Sequence, residues 1–270
     1  MALSQKIKSE IHKFLLVKIS KKINGYSLND EDSSKPFQYA LFTKKGYLAK
    51  GFIHGCETAL GNWHESIAKM VASENFKVAK KLQGKNKLKG NVAREAQRKF
   101  ENILSALDSV SREPNHKTEA EEIFVASQRG EKKNRSQTVD LYLEKDNGDE
   151  IYFEIKGPKP NKNEMRAAKR DLLEIFAMRA SEGRKVKIYL GMYYNPYFPK
   201  DYQRWTCLKF FDKGNDFLIG KDFWDFLGGK NTYEELIEIY ENVGEKIRPA
   251  LDKKFKEITA KNIKSKNKNL

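Results

Sequence analysis

The chain has 270 residues, 39% of them hydrophobic and 11% aromatic, which is enough to form a core and argues against a disordered protein. Its 52 Lys and Arg residues outnumber its 37 Asp and Glu residues, and the net charge of +15 favours a polyanionic partner such as nucleic acid. Because no apolar run approaches the roughly 20 residues that cross a bilayer, and lysines interrupt the first 24 residues, we expect no membrane partner, no signal peptide and a cytoplasmic location.

The first 90 residues are expected to be mainly helical. Residues 3–23 carry apolar side chains at helical spacing, and a second helix begins at Asn62. Between these helices, 29–36 reads as a polar loop, and the apolar run 37–42 is either a strand or the start of a buried helix. The segment 77–89 is rich in lysine and contains glycine, which predicts a loop or a helix break.

The pattern changes in the middle of the chain. Helices are predicted over 91–109 and 118–127, where apolar residues recur every three or four positions. Two strand-like runs, 137–145 and 150–156, then flank Asn147-Gly148. Asn-Gly between alternating strands is a strong hairpin signal, so we predict that these two strands pair.

The last third returns to mixed elements. A helix is predicted over 163–182, strands over 186–194 and 205–211, and helices over 232–243 and 245–262. Helices before and after a hairpin and two further strands predict an α/β domain with a mixed central β-sheet, flanked by helices from both termini.

Charged residues within the predicted hairpin point to chemistry. Glu154 and Lys156 share one face of the second strand, and Asp140 lies on its partner. Two carboxylates can hold Mg²⁺ against a phosphate oxygen, and an adjacent ammonium can assist an attacking water molecule. The pattern therefore predicts hydrolysis of a phosphodiester, although an exposed hairpin with a cross-strand ion pair would show the same residues.

The register of the hairpin tests this interpretation. A two-residue turn at Asn147-Gly148 would pair Asp140 with Ile155 and turn Asp140 away from Glu154. We therefore predict an odd-length loop or a bulge that returns Asp140 to the Glu154 face.

These residues resemble the PD-(D/E)xK nuclease superfamily, with Asp140 as the first acid and Glu154-Ile155-Lys156 as the ExK; Val139 stands where the name has proline. The run 156–161, KGPKPN, and the segment 58–68 are similar to type II restriction endonucleases, most of all to those that cut GGNCC-type sites. The resemblance implies a restriction-endonuclease-like core and a homodimer that cuts both strands of duplex DNA at a short palindrome, with a cognate DNA methyltransferase as genetic partner. It also implies Mg²⁺ as cofactor, held by Asp140, Glu154 and Ile155.

Glu65 is a fourth candidate for the catalytic site. The resemblance implies that an upstream helix contributes an acid here, to a metal or to its water. The alternative is local, because Asn62 as N-cap and Glu65 three residues later fit a capping box.

Candidate DNA contacts lie downstream. Lys200, Gln203 and Arg204 belong to an aromatic, proline-containing loop and are candidates to read base edges, unless this loop is simply packed against the sheet. Lys159 and Lys162 are assigned to phosphates, where a positive charge positions the duplex without reading its sequence.

The domain organisation follows from these assignments. We expect an N-terminal helical region over 1–56, a nuclease core over 57–215 and C-terminal helices with a basic tail over 216–270, together forming one compact unit. Cys56 and Cys207 are isolated, and the chain has four histidines, so neither a zinc site nor Ser–His or Cys–His hydrolysis is expected.

Two other functions remain open from the sequence. A repair or structure-specific nuclease of the same fold would carry the same residues, although no GxxxxGK[ST] phosphate loop indicates an attached motor. A non-catalytic nucleic-acid-binding protein would explain the charge without hydrolysis, and a composition biased towards lysine would explain it without any partner.

Overall fold

A computed structural model describes residues 3–27, 36–42 and 44–264. The described helices are α1 (Gln5–Gly25), α2 (Pro36–Leu41), α3 (Lys44–Ala72), α4 (Arg94–Asp108), α5 (His116–Ser127), α6 (Lys162–Ala180), α7 (Trp205–Leu208), α8 (Lys221–Gly228) and α9 (Thr232–Lys264). The described strands are β1 (Val78–Leu82), β2 (Leu88–Ala93), β3 (Lys132–Gln137), β4 (Val139–Glu144), β5 (Glu150–Lys156), β6 (Val186–Met192) and β7 (Phe217–Ile219). None of these helices is long and apolar enough to cross a membrane.

The chain divides into two compact units. The larger contains residues 1–3 and 65–233, and the smaller contains 4–64 and 234–270. In the smaller unit, Phe52 is fully buried and meets Tyr26 and Phe255 edge to face, with ring centroids 4.8 and 5.3 Å apart. The boundaries expected at 56 and 215 stay a prediction.

The larger unit is built on a five-stranded mixed sheet. Its strand order is β1-β4-β5-β6-β7; β1, β4 and β5 pair antiparallel, whereas β5, β6 and β7 pair parallel. A separate two-stranded sheet pairs β2 with β3. The predicted α/β class with a mixed central sheet is therefore confirmed, as is its restriction-endonuclease-like character.

Both faces of the central strand β5 are covered. Tyr152 faces a core shared with α4 and α6, whereas Phe153 packs on Phe223 and Phe226, with ring centroids 5.6 Å away in each case. Burial on both faces gives the strand its nearly continuous apolar run. Glu154 and Lys156, only partly buried, end this strand as polar residues.

The hairpin that joins β4 to β5 has the predicted odd-length loop. Leu141 lies opposite Phe153 and Glu144 opposite Glu150, so residues 145–149 form a five-residue connection. Lys145 N donates to Asp149 O at 3.0 Å, closing the loop. Asp140 lies one residue beyond the last pair of this ladder, so the register brings it next to the Glu154 end of β5.

Two predicted elements in the C-terminal third are wrong. The apolar run 205–211 begins as the short helix α7, and the last strand is Phe217–Ile219 instead. A short apolar run fits a buried helix as well as a strand, and α7 buries Cys207 completely. The helices predicted over 232–243 and 245–262 are one helix, α9, which runs through Pro249.

The N-terminal third also differs from the elements predicted from the sequence. Helix α3 begins at Lys44 rather than at Asn62, and the lysine-rich segment 77–89 forms β1, a 3-10 turn and the start of β2. The run 37–42 is helical through Leu41, but Phe37 and Leu41 are each 80% exposed, so no buried helix starts there. The predicted loop over 29–36 lies, except for Pro36, outside the described residues.

Candidate active site

Asp140 is positioned by a β-bulge in the pairing of β4 with β1. Lys80 of β1 pairs with Tyr142 and Leu82 pairs with Val139, so Lys81 alone faces two residues of β4, Asp140 and Leu141. Such a bulge bends the strand and redirects a side chain. Asp140 Oδ2 accepts a hydrogen bond of 2.9 Å from Ile155 N, which fixes the carboxylate against β5.

Glu154 and Lys156 form an ion pair on the same face. Lys156 Nζ lies 2.5 Å from Glu154 Oε1, and the side chains are 32% and 16% exposed, respectively. Burial and the charge of Asp140 raise the pKa of Glu154 to about 7, although Lys156 opposes the rise. At neutral pH, burial and the negative charge of Asp140 therefore both oppose the ionisation of Glu154.

Lys156 itself stays charged. Burial alone would lower the pKa of its ammonium, but the charges of Glu154, Asp140 and Glu65 raise it above the ordinary value. Lys156 is therefore an electrostatic group and a hydrogen-bond donor at neutral pH, not a base.

These residues fit a hard divalent cation. Two carboxylates on neighbouring strands offer oxygen ligands, and a cation between them would relieve the repulsion that raises the pKa of Glu154. Ile155, the third predicted ligand, uses its N–H to hold Asp140. Within the described residues, no group of three His, Cys, Asp or Glu side chains is arranged to hold a metal ion.

Glu65 lies inside α3, more than five turns after the helix begins at Lys44. The capping-box alternative is therefore wrong, because Asn62 does not begin a helix. Glu65 Oε2 instead lies 2.7 Å from Lys81 Nζ. Because the charge of Glu65 also raises the pKa of Lys156, the acid lies within electrostatic range of the candidate site.

Two further contributors were missed from the sequence. Asp171 of α6 is near enough for the charge of Lys156 to lower its pKa, although burial and Glu174 raise it overall. Tyr193, after β6, lies against Gly157: a Cβ added at Gly157 would come within 3.0 Å of Tyr193 Oη. The only sequence signal for Asp171 was a polar residue among the apolar positions of α6, and Tyr193 gave none.

The candidate DNA contacts differ in their surroundings. Lys200 and Gln203 are exposed, as is Lys159, whose Nζ lies 5.9 Å from the centroid of the Tyr197 ring. Lys162 is engaged instead, with Nζ 2.5 Å from Asp108 Oδ1. The half-buried Arg204 has its own contact, as its Nε donates to a backbone carbonyl, that of Pro160, at 2.9 Å.

Comparisons with known proteins agree with this geometry. Two restriction enzymes of Herpetosiphon aurantiacus, the type II enzymes HgiEI and HgiBI, are each 28% identical to the chain over 225 and 227 residues, covering 81% of the chain and 80% of each relative. The type II restriction enzyme MjaII of Methanocaldococcus jannaschii is 28% identical over 221 residues, which cover 76% of the chain but 56% of that enzyme. Residues 2–244 match the HinfI family, and the chain belongs to this family of type II restriction endonucleases.

Proposed function

We propose that Asp140, Glu154 and Lys156 form the catalytic centre of this restriction endonuclease, and that it uses Mg²⁺ to cut both strands of DNA. Family membership supports site-specific cleavage of DNA and the use of a divalent metal. The observation that supports the assignment of residues is the hydrogen bond from Ile155 N to Asp140 Oδ2, which holds this carboxylate beside the strand that carries the Glu154–Lys156 ion pair.

Each of these residues would have a distinct role in cleavage. Asp140 and Glu154, with the carbonyl of Ile155, would hold Mg²⁺, which when bound polarises the phosphate and lowers the pKa of a water molecule. The Ile155 N–H keeps Asp140 in place before the cation arrives. Lys156, held protonated by its acidic neighbours, would donate a hydrogen bond towards the attacking water or the phosphate oxygens and offset the developing negative charge.

DNA binding would use the excess of positive charge. Lys159 and Lys200 are exposed and suited to phosphate contacts, while Gln203 can read a base edge. Lys162 would have to exchange its ion pair with Asp108 for a phosphate. Arg204 would first hold the loop after β5 through Pro160, so any base contact must use its remaining N–H groups.

The finer assignments rest on the resemblance to this class of enzymes. We propose a homodimer acting on a short palindrome of the GGNCC type, a cognate DNA methyltransferase as genetic partner, and a catalytic core over 57–215. A structure-specific repair nuclease is the second candidate from the sequence, but no structural observation favours it over restriction.

Digestion of plasmid DNA tests the proposal. Purified protein with Mg²⁺ is expected to give discrete fragments and with EDTA none, and Glu154→Gln is expected to abolish cleavage while DNA binding in Ca²⁺ is retained. Mapping the fragment ends gives the recognition sequence. A smear would favour a nonspecific nuclease, and full cleavage by Glu154→Gln would overturn the assignment of the site.

A further inference from the structure

Lys81 occupies an unusual position in the sheet. It is the single residue of β1 that faces the two-residue bulge containing Asp140. The neighbouring Lys80 is exposed and lies over the Tyr142 ring, with Nζ 5.4 Å from the ring centroid. Because successive side chains of a strand point to opposite faces, the two lysines of this strand have different surroundings.

The ammonium of Lys81 is committed to one acid. It lies 2.7 Å from Glu65 Oε2, and the side chains of Lys81 and Glu65 are only 26% and 17% exposed. An ion pair shielded to this extent is held more firmly than an exposed one, because water and salt screen it less. The pair therefore fixes where the Glu65 carboxylate lies.

Lys156 is subject to the charges of three acids, Glu154, Asp140 and Glu65. Glu154 is in direct contact at 2.5 Å, and Glu65 acts on it electrostatically. If Glu65 were free to rotate, it could pair with Lys156 and draw that ammonium away from the reacting phosphate.

We propose that Lys81 is a positioning residue of the catalytic centre: opposite the bulge that contains Asp140, it holds Glu65 in an ion pair and so keeps this acid from capturing Lys156. The inference rests on the proposed function, since it needs Lys156 to act in cleavage. It gives one lysine of the lysine-rich segment 77–89 a specific role beside the candidate site.

The test compares variants of Lys81 in two backgrounds. Lys81→Met keeps the aliphatic stem and removes the charge, and it is expected to lower the single-turnover rate by roughly 10- to 100-fold and to raise the Mg²⁺ concentration that gives half the maximal rate. Lys81→Arg should recover part of the loss. In a Glu65→Gln background, Lys81→Met should change the rate by no more than about twofold, because the two residues act as one unit.

Lys80→Met is the matched control, with the same charge change one residue away, and is expected to cleave like the wild type. Thermal unfolding and DNA affinity in Ca²⁺ are measured for every variant, and both should be unchanged in Lys81→Met. A Lys81→Met variant that cuts normally, or that loses DNA affinity equally in both backgrounds, overturns the inference. If Glu154→Gln still cuts, the proposed function has failed; if Glu154→Gln is inactive and Lys81→Met is normal, only this inference has failed.

Discussion

The larger unit contains a group of one lysine and two carboxylates that is fully buried in the core and another, on the hairpin, that is only partly buried. Lys169 of α6 is fully buried, with Nζ 2.6 Å from Glu119 and 2.5 Å from Asp216. Backbone amides complete the arrangement, as Asn115 N donates to Glu119 at 3.1 Å and Asp212 N donates to Asp216 at 2.7 Å. One ammonium thus contacts both acids, and backbone amides donate to them as well.

The group on the hairpin has the same composition but a different arrangement of its charges. Lys156 contacts Glu154, while Asp140 takes its hydrogen bond from the backbone of Ile155. The pKa of Glu154 is raised to about 7, by burial and by Asp140. A lysine that contacts both acids suits a structural role, whereas a lysine that contacts only one of them leaves the other acid for a bound cation.

Removing each lysine should separate the two roles. Lys169→Met leaves Glu119 and Asp216 buried without a counter-charge, so we expect it to lower the free energy of unfolding by about 3–5 kcal/mol. Lys156→Met should lower that free energy less, because Glu154, with its raised pKa, can take up a proton when its partner is lost, and it should slow cleavage by roughly 100-fold or more. Urea denaturation and single-turnover digestion measure the two effects. Equal destabilisation by both variants would contradict the distinction between the groups.

The pH dependence of stability should sharpen the comparison. Because the pKa of Glu154 is raised from 4.5 to about 7 in the folded state, its folded form binds a proton more tightly than its unfolded form. Its contribution to stability is therefore present below pH 4.5 and is lost as the pH rises through 7, at a cost of at most about 3 kcal/mol.

Glu154→Gln removes the free-energy cost of ionising this side chain in the folded state. In EDTA we expect the variant to be more stable than the wild type at pH 8, and the difference to shrink towards pH 5. Mg²⁺ should stabilise the wild type at pH 8 and have little effect on the variant. Thermal unfolding across this pH range measures the difference; parallel curves for the two proteins would show that Glu154 titrates normally.

The hairpin could be predicted from the sequence because its determinants are local. The strand pattern and Asn147-Gly148 fix the hairpin, and the need to bring Asp140 beside Glu154 selects an odd-length loop. The bulge opposite Lys81 could not be predicted, because it depends on how β1 pairs with β4, about 60 residues away in the chain. Local patterns also misled, as Asn62 and Glu65 have the spacing of a capping box yet lie inside a longer helix.

The contrast between Gln203 and Arg204 gives the smallest expected effect. Gln203 is exposed beside an open groove of about 620 Å³ that Trp205 also lines, whereas Arg204 is tied to Pro160. We expect Gln203→Ala to reduce discrimination between the recognition sequence and its single-mismatch variants by about 1 kcal/mol, the low end for one base contact. Arg204→Ala should instead slow cleavage of every sequence, because the loop after β5 loses one of the hydrogen bonds that hold it. Competition digests of matched and mismatched duplexes measure both effects. If Gln203→Ala slowed cleavage of all duplexes equally, this side chain would be assigned to a contact with the DNA backbone instead of a base.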